Sequence, residues 1–287
     1  MRPGNQRNPA PLIPRQLITT ADDFGASLEV NAAVIQAHRE GVLNFASLMV
    51  DAPAAAEAAA AARSCPGLGV GVHLVLCEED PAAWGLRLVG DGQARGRVEA
   101  LMCGQVERFL ALGLVPTHLD SHFNAHVHPA VFPAVLRLAR RFAIPRIRWP
   151  AGELGPSLAY AWTHWRAVLT GSPVPDRSPA PVGRQLLLSG AYGALRLALR
   201  WRSDDLSLTQ AFGMLHSGMM TEDYVVWLLR RLPRGVTEIY FHPSSEPASG
   251  DAGPTPTHRS SAELLTLLSP RVRQILQEEG IRLVPAR

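Results

Sequence analysis

The sequence predicts a parallel α/β fold of barrel type, and two observations carry that expectation. Short apolar, β-branched runs alternate repeatedly with helix-patterned stretches, as strands joined by crossover helices do. Ionisable residues fall at the C-terminal ends of several of those runs, the edge on which such barrels assemble their sites. A chain of 287 residues with 47% hydrophobic content can bury one large core. The unbroken alternation argues for a single domain over residues 16–287, after a leader over 1–15 expected to be disordered.

Each element follows from its residues. QLITTADDFG, residues 16–25, is a β-branched run stopping at Asp22, Asp23 and Gly25, a buried strand whose end carries both aspartates. SLEVNAAVIQAHREG follows as a helix, with Ser27 placed to cap its free N–H groups and Gly41 to stop it. LNFASLMV is a second strand and PAAAEAAAAAR a helix opened by Pro53. LGVGVHLVL, residues 68–76, is a third strand, apolar except at His73. A helix near 97–112 leads to the strand end THLDSHFNAHVHP, residues 117–129, and Pro129 opens the helix PAVFPAVLRLARRF. PRIRWP is a further strand. Residues 171–183 form a proline-rich loop, and 184–202, leucine-rich with arginines, an inserted amphipathic helix packed on the core. The helix TEDYVVWLLRRL and the strand VTEIYF lead to His242-Pro243. A polar, flexible stretch over 244–260, a closing helix and the strand IRLVP complete the chain.

The chemistry concentrates at residues 117–129, where four of the ten histidines lie within eleven residues. On an extended chain His118, Asp120 and His122 share one face, and imidazoles beside a carboxylate suit a metal. Asp22 and Asp23, His73, and His242 fall at or toward the ends of three other strands, so four separated segments deliver ionisable groups to one rim. One carboxylate and two imidazoles make a three-ligand set that leaves positions open for water and substrate; the set chosen is Asp23, His73 and His122. Such a metal activates water and polarises a carbonyl. Asp22 points away from its neighbour and is placed as general base, with His242 as the acid for a leaving group. Asp120 is expected to orient a histidine from behind. His38, His164, His216 and His258 are left as structural or surface residues.

Composition narrows the classes. All 28 basic residues are arginine, which excludes chemistry that needs a lysine, such as Schiff bases and the phosphate-binding loop. The formal net charge is +3, without a basic block, and nucleic acid is not an expected partner. Cys65, Cys77 and Cys103 form no CxxC pair, so a reducing compartment is expected. No apolar run of about 18 residues and no signal-like leader appear, and the expectation is a soluble, cytoplasmic protein. There is neither GxSxG nor HExxH. Two histidines and a carboxylate also suit iron(II) oxygenases, and a metal-containing lipid- or sugar-binding module stays open beside the hydrolase.

TADDFG, GVHLVL, THLDSH-x-x-x-H and EIYFHP, in this order, resemble the YdjC-type carbohydrate deacetylases, relatives of the NodB-type polysaccharide deacetylases, from Leu17 to Pro243. EVNAAVIQAHREGVLNFASLMVDAPAA with TEIYFHP is most similar to the hopanoid-biosynthesis deacetylases of the HpnK type. The resemblance implies a distorted TIM-like (β/α) barrel and one divalent metal ion, zinc or magnesium, on Asp23, His73 and His122. It implies Asp22 as base, His242 as acid, and loss of the N-acetyl group from an N-acetylglucosaminyl hopanoid or, alternatively, a soluble chitooligosaccharide. Asn124 stands where the family carries a histidine in a His-x-His-x-His run; with Asp120, His126 and His128 it is expected to support the ligands or touch substrate. The partners expected are a glycolipid or amino sugar and the inner membrane face, through 184–202, with homo-oligomerisation left open.

Overall fold

The β-branched run that opens the chain forms β1 (Arg15–Phe24), and Ser27 caps α1 (Leu28–Glu40) by accepting from the Val30 N–H. The computed structural model describes residues 13–77, 81–170, 206–245 and 261–286, with positions 190, 193 and 194. Of the leader expected over 1–15, residues 1–12 lie outside the described residues, as do the proline-rich loop, nearly all of 184–202 and residues 246–260; Arg15, expected in the leader, already belongs to β1 because it pairs with Gly235 of β7. After α1 come β2 (Phe45–Leu48), α2 (Ala55–Arg63), β3 (Gly69–Leu74), α3 (Pro81–Leu88), α4 (Gly92–Ala111) and β4 (Leu119–Ser121). A 3-10 turn (His122–Val127), α5 (Phe132–Arg141), β5 (Arg146–Trp149), α6 (Leu154–Thr170) and β6 (Ser207–Phe212) follow. The chain then forms α7 (Glu222–Leu229), β7 (Gly235–Phe241), α8 (Ser261–Leu268), α9 (Pro270–Glu278) and β8 (Arg282–Leu283).

Strands β1 to β7 run parallel in chain order, and β1 bonds to both β2 and β7, which closes a seven-stranded barrel. The expected barrel is therefore present, one strand short of the eight of the common form. β8 lies beside the N-terminal half of β1, pairing Gln16 with Arg282 and Leu17 with Leu283. Asn44 donates to the Val284 carbonyl and fastens that end to β2.

Alternation along the strands separates two interiors. Leu17, Ala21, Ala46, Leu48, Val70, Val72, Leu119, Ile147, Trp149, Ile239 and Phe241 face the helices and form the apolar core. The other parity, Thr20, Asp22, Ser47, His73, His118, Asp120, Arg148, Glu238 and Tyr240, meets across the barrel and is largely polar. Among the described residues no helix is long and apolar enough to cross a membrane.

The structure moves some boundaries and adds elements. The helix expected near 97–112 begins at Gly92, because the Asp91 side chain accepts from the Ala94 N–H and caps it. Pro53 and Pro129 precede their helices, which start at Ala55 and Phe132. α3, α6 and β6 were not expected, and the single closing helix is two, broken where Ser269 caps α9.

Gly71 faces the polar interior, and a Cβ there would lie 2.5 Å from atoms of the His118 ring. Gly71→Ala is expected to cost about 1–3 kcal/mol through overpacking. A thermal unfolding midpoint equal to the wild type would refute that contact.

Candidate functional site

β1 delivers two neighbouring carboxylates in different directions. Asp22 continues the strand alternation into the barrel, where Arg148 Nη1 and Nη2 donate to its Oδ2 and Oδ1 at 2.6 and 2.7 Å. Asp23 has a left-handed backbone, φ 59°, which breaks the alternation. Its Oδ1 lies 3.2 Å from His122 Nδ1 and 3.5 Å from His73 Nε2. Asn31 on α1 accepts from the Gly25 N–H at 2.8 Å and donates to the Ala54 carbonyl, bracing the turn after the aspartates.

β3 and β4 deliver the imidazoles. His73 Nδ1 donates to Asp120 Oδ1 at 2.8 Å, which turns Nε2 toward Asp23. β4 ends at Ser121, and the chain then turns through left-handed Phe123 and Asn124, φ 56° and 54°. Left-handed backbone costs about 1–2 kcal/mol for such residues and gathers at functional turns. His122, at the end of β4 just before that turn, brings its ring to Asp23. Asn124 Nδ2 donates to the Tyr240 hydroxyl at 3.2 Å, tying this turn to β7.

Behind the imidazoles lies a buried ion network. Arg148, 1% exposed, contacts Asp22, Asp120 and Glu238 at 2.6–2.8 Å and stacks over the Tyr240 ring. Ser47 donates to Asp120 Oδ2 at 2.7 Å, and Thr20 to Glu238 at 2.7 Å. Burial alone would raise the Asp23 carboxyl, but the hydrogen bond and charge of His122, with His242 and His73, hold it far below the usual carboxylate range. Burial likewise works against an ionised Asp120, and Arg148 and His73 reverse it.

His242 follows β7 with Nε2 at 3.9 Å from Asp22 Oδ2. Burial lowers its pKa against the pull of Asp22 and Asp23. Ser217 Oγ lies 3.4 Å from His242 Nδ1, and Glu263 of α8 accepts from the His242 N–H at 2.5 Å. Burial pushes the Glu263 carboxyl up to about 8 despite its backbone N–H partners.

The residues present suit a divalent cation. One ligand atom from each of Asp23, His73 and His122 lies within 4.8 Å of the others, a mixed oxygen and nitrogen set; Asp22, His73 and Asp120 form a second overlapping group. Burial opposes a proton on His73, yet Asp120, Asp22 and Asp23 raise its pKa to about 9, so this point favours positive charge. Asp22, Asp120 and Glu238 face the Arg148 guanidinium, with Arg146 also near Glu238 and Asp120, whereas Asp23 meets the imidazoles of His122 and His73.

The expected residues thus divide. Asp22, Asp23, His73, Asp120, His122 and His242 converge. His126 does not sit where substrate could touch it: it is 0% exposed, with Nδ1 against Ser121 Oγ and Nε2 against the Arg148 carbonyl. His128 lies against Trp84 and accepts from the Ala130 N–H. His118 is enclosed between Thr117, Ser47 and the edge of Phe45, and burial and Arg146 keep its pKa well below normal. His216, left as structural, is buried and bonds Ser157 at 2.7 Å. Sequence reasoning missed Arg148, Glu238, Ser47 and Glu263. The first two had a signal: RIRW and TEIYF place charge at alternate positions of otherwise apolar strands.

A family model described as YdjC-like protein matches residues 16–278. The chain is 43% identical over 145 residues to a carbohydrate deacetylase of Geobacillus stearothermophilus, a match covering 46% of this chain and 59% of that relative. It is 40% identical over 148 residues to one of Brevibacillus brevis, covering 47% and 59%. The chain thus spans somewhat over half the length of these relatives. A solved structure from Enterococcus faecalis V583, described as a cellobiose-phosphate cleavage protein, shares the fold with TM-score 0.66 at 22% identity, covering 95% of this chain and 98% of that one.

Proposed function

Because this chain belongs to the YdjC-like protein family, we propose that it is a metal-dependent carbohydrate deacetylase that hydrolyses the N-acetyl group of an N-acetylglucosamine-type sugar. The convergence of Asp23, His73 and His122 beside Asp22 and His242 supports this reading most directly. Partial matches to carbohydrate deacetylases support the substrate class.

In this reading Asp23, His73 and His122 would hold one divalent cation, which would polarise the amide carbonyl and activate water. Asp120 fixes the His73 ring so that Nε2 faces the site. Asp22 takes a proton from the attacking water, and Arg148 holds that carboxylate in place with two hydrogen bonds. His242 Nε2 hands a proton to the departing sugar amine, whose C–N bond breaks as the acyl carbon gains the water oxygen. The products are acetate and the free amine.

The finer substrate proposal is an N-acetylglucosaminyl hopanoid, resting on the likeness of EVNAAVIQAHREGVLNFASLMVDAPAA and TEIYFHP to the hopanoid-associated subgroup. The test is mass spectrometry of that glycolipid and of a chitooligosaccharide, each incubated with purified protein and divalent metal. Loss of one acetyl group from the glycolipid is expected. Loss from the chitooligosaccharide alone would overturn the hopanoid proposal, and loss from neither would overturn deacetylation.

A further inference from the structure

We propose that Glu263 is the positioning residue for His242, an inference that rests on the assignment of His242 as proton donor. Glu263 lies on α8, outside the barrel strands and 21 residues from that histidine, and is 0% exposed. Burying a carboxyl group is costly unless its oxygens find hydrogen-bond partners. Here Oε2 accepts from the His242 N–H at 2.5 Å and Oε1 from the Met220 N–H at 3.0 Å, with Gly218 adding a backbone hydrogen bond. One side chain thus joins the end of β7 to the loop between β6 and α7.

That loop reaches the imidazole itself. Ser217, beside Gly218, puts its Oγ 3.4 Å from His242 Nδ1, and Glu263 Oε2 lies 3.9 Å from the same nitrogen. Nε2, the other ring nitrogen, faces Asp22. The loop's beginning is held by a second buried carboxylate: Glu153 Oε2 accepts from the Gly213 and Leu215 N–H groups at 3.0 and 3.1 Å, and Tyr224 donates to Oε1. Glu153 secures the loop without touching His242, whereas Glu263 grips the histidine backbone and the loop facing its ring. A ring that delivers a proton must hold its angle, and Glu263 sets it from behind.

The experiment is a double-mutant cycle of Glu263→Gln and His242→Ala with an N-acetylated chitooligosaccharide, alongside elemental analysis of bound metal. Positioned acids contribute about 10²–10⁴ in rate, so a misaligned one is expected to lose roughly 10- to 100-fold in kcat. KM should stay within about twofold and metal content should be unchanged. In the His242→Ala background Glu263→Gln should cause no further loss, because it acts through that ring. An undiminished kcat for Glu263→Gln, or losses that multiply, would overturn the proposal. Should the glutamine variant not fold, Glu263→Asp enters the same cycle with the same outcomes. The imidazole NMR resonances of His242 supply a readout free of turnover. They should move in Glu263→Gln and stay in Glu153→Gln; unmoved resonances in the former would defeat the inference even if the protein deacetylates nothing, a result that would separately refute the proposed function.

Discussion

Replacing Arg148 by methionine is expected to destabilise the barrel by about 3–5 kcal/mol or more, the range seen when one partner of a buried ion pair is removed. Arg148 is 1% exposed and serves three carboxylates, Asp22, Asp120 and Glu238. Without it those acids face one another inside the barrel, where among the described residues Arg146, partly buried and stacked on Phe45, is the guanidinium left near Asp120 and Glu238. Arg148→Lys should fall between, since an ammonium keeps the charge but cannot make the paired hydrogen bonds to Asp22. Urea unfolding monitored by circular dichroism measures both. A methionine variant with the wild-type midpoint would show that the network does not hold the barrel together.

Replacing Asp23 by alanine is expected to abolish stoichiometric binding of divalent metal, and acetate release with it, while the fold persists. Asp23 Oδ1 approaches both His122 and His73, so its loss removes the sole carboxylate of the Asp23, His73 and His122 group. His73→Ala should act alike. Asp120→Asn is a graded case: it weakens the acceptor that orients His73, and changes behind a metal ligand typically cost about 10- to 100-fold in affinity. Isothermal titration with zinc and with magnesium reads all three, independent of turnover. Full metal binding by Asp23→Ala would end the proposed ligand set, whatever its activity.

The strands, the barrel class and the converging ionisable groups were legible because they rest on local pattern. β-branched runs ending in Asp22-Asp23, His73, the 117–129 stretch and His242 announce strands with charged ends. β6 and α6 were missed: SLTQAF mixes polar residues into its run, and the helix lies beside a proline-rich stretch. Alternation puts His122 on the face of His118 and Asp120, and its ring meets Asp23, but the left-handed pair Phe123 and Asn124 that follows was not legible. A backbone turn with positive φ at ordinary side chains has no reliable sequence signal, since tertiary packing enforces it.

The sequence by itself determined which chemistry was available: imidazoles and carboxylates at strand ends, no lysine, and a parity that separates an apolar face from a polar one. Only the tertiary structure decided how those groups are used. Closing β1 onto β7 brings Glu238 and Tyr240 under Arg148, and α8 reaches back to place Glu263 behind His242. The physical reason is range. Strand pattern comes from neighbours a few residues apart, whereas the partner of a buried charge is whatever the closed barrel brings within about 3 Å, often more than a hundred residues away.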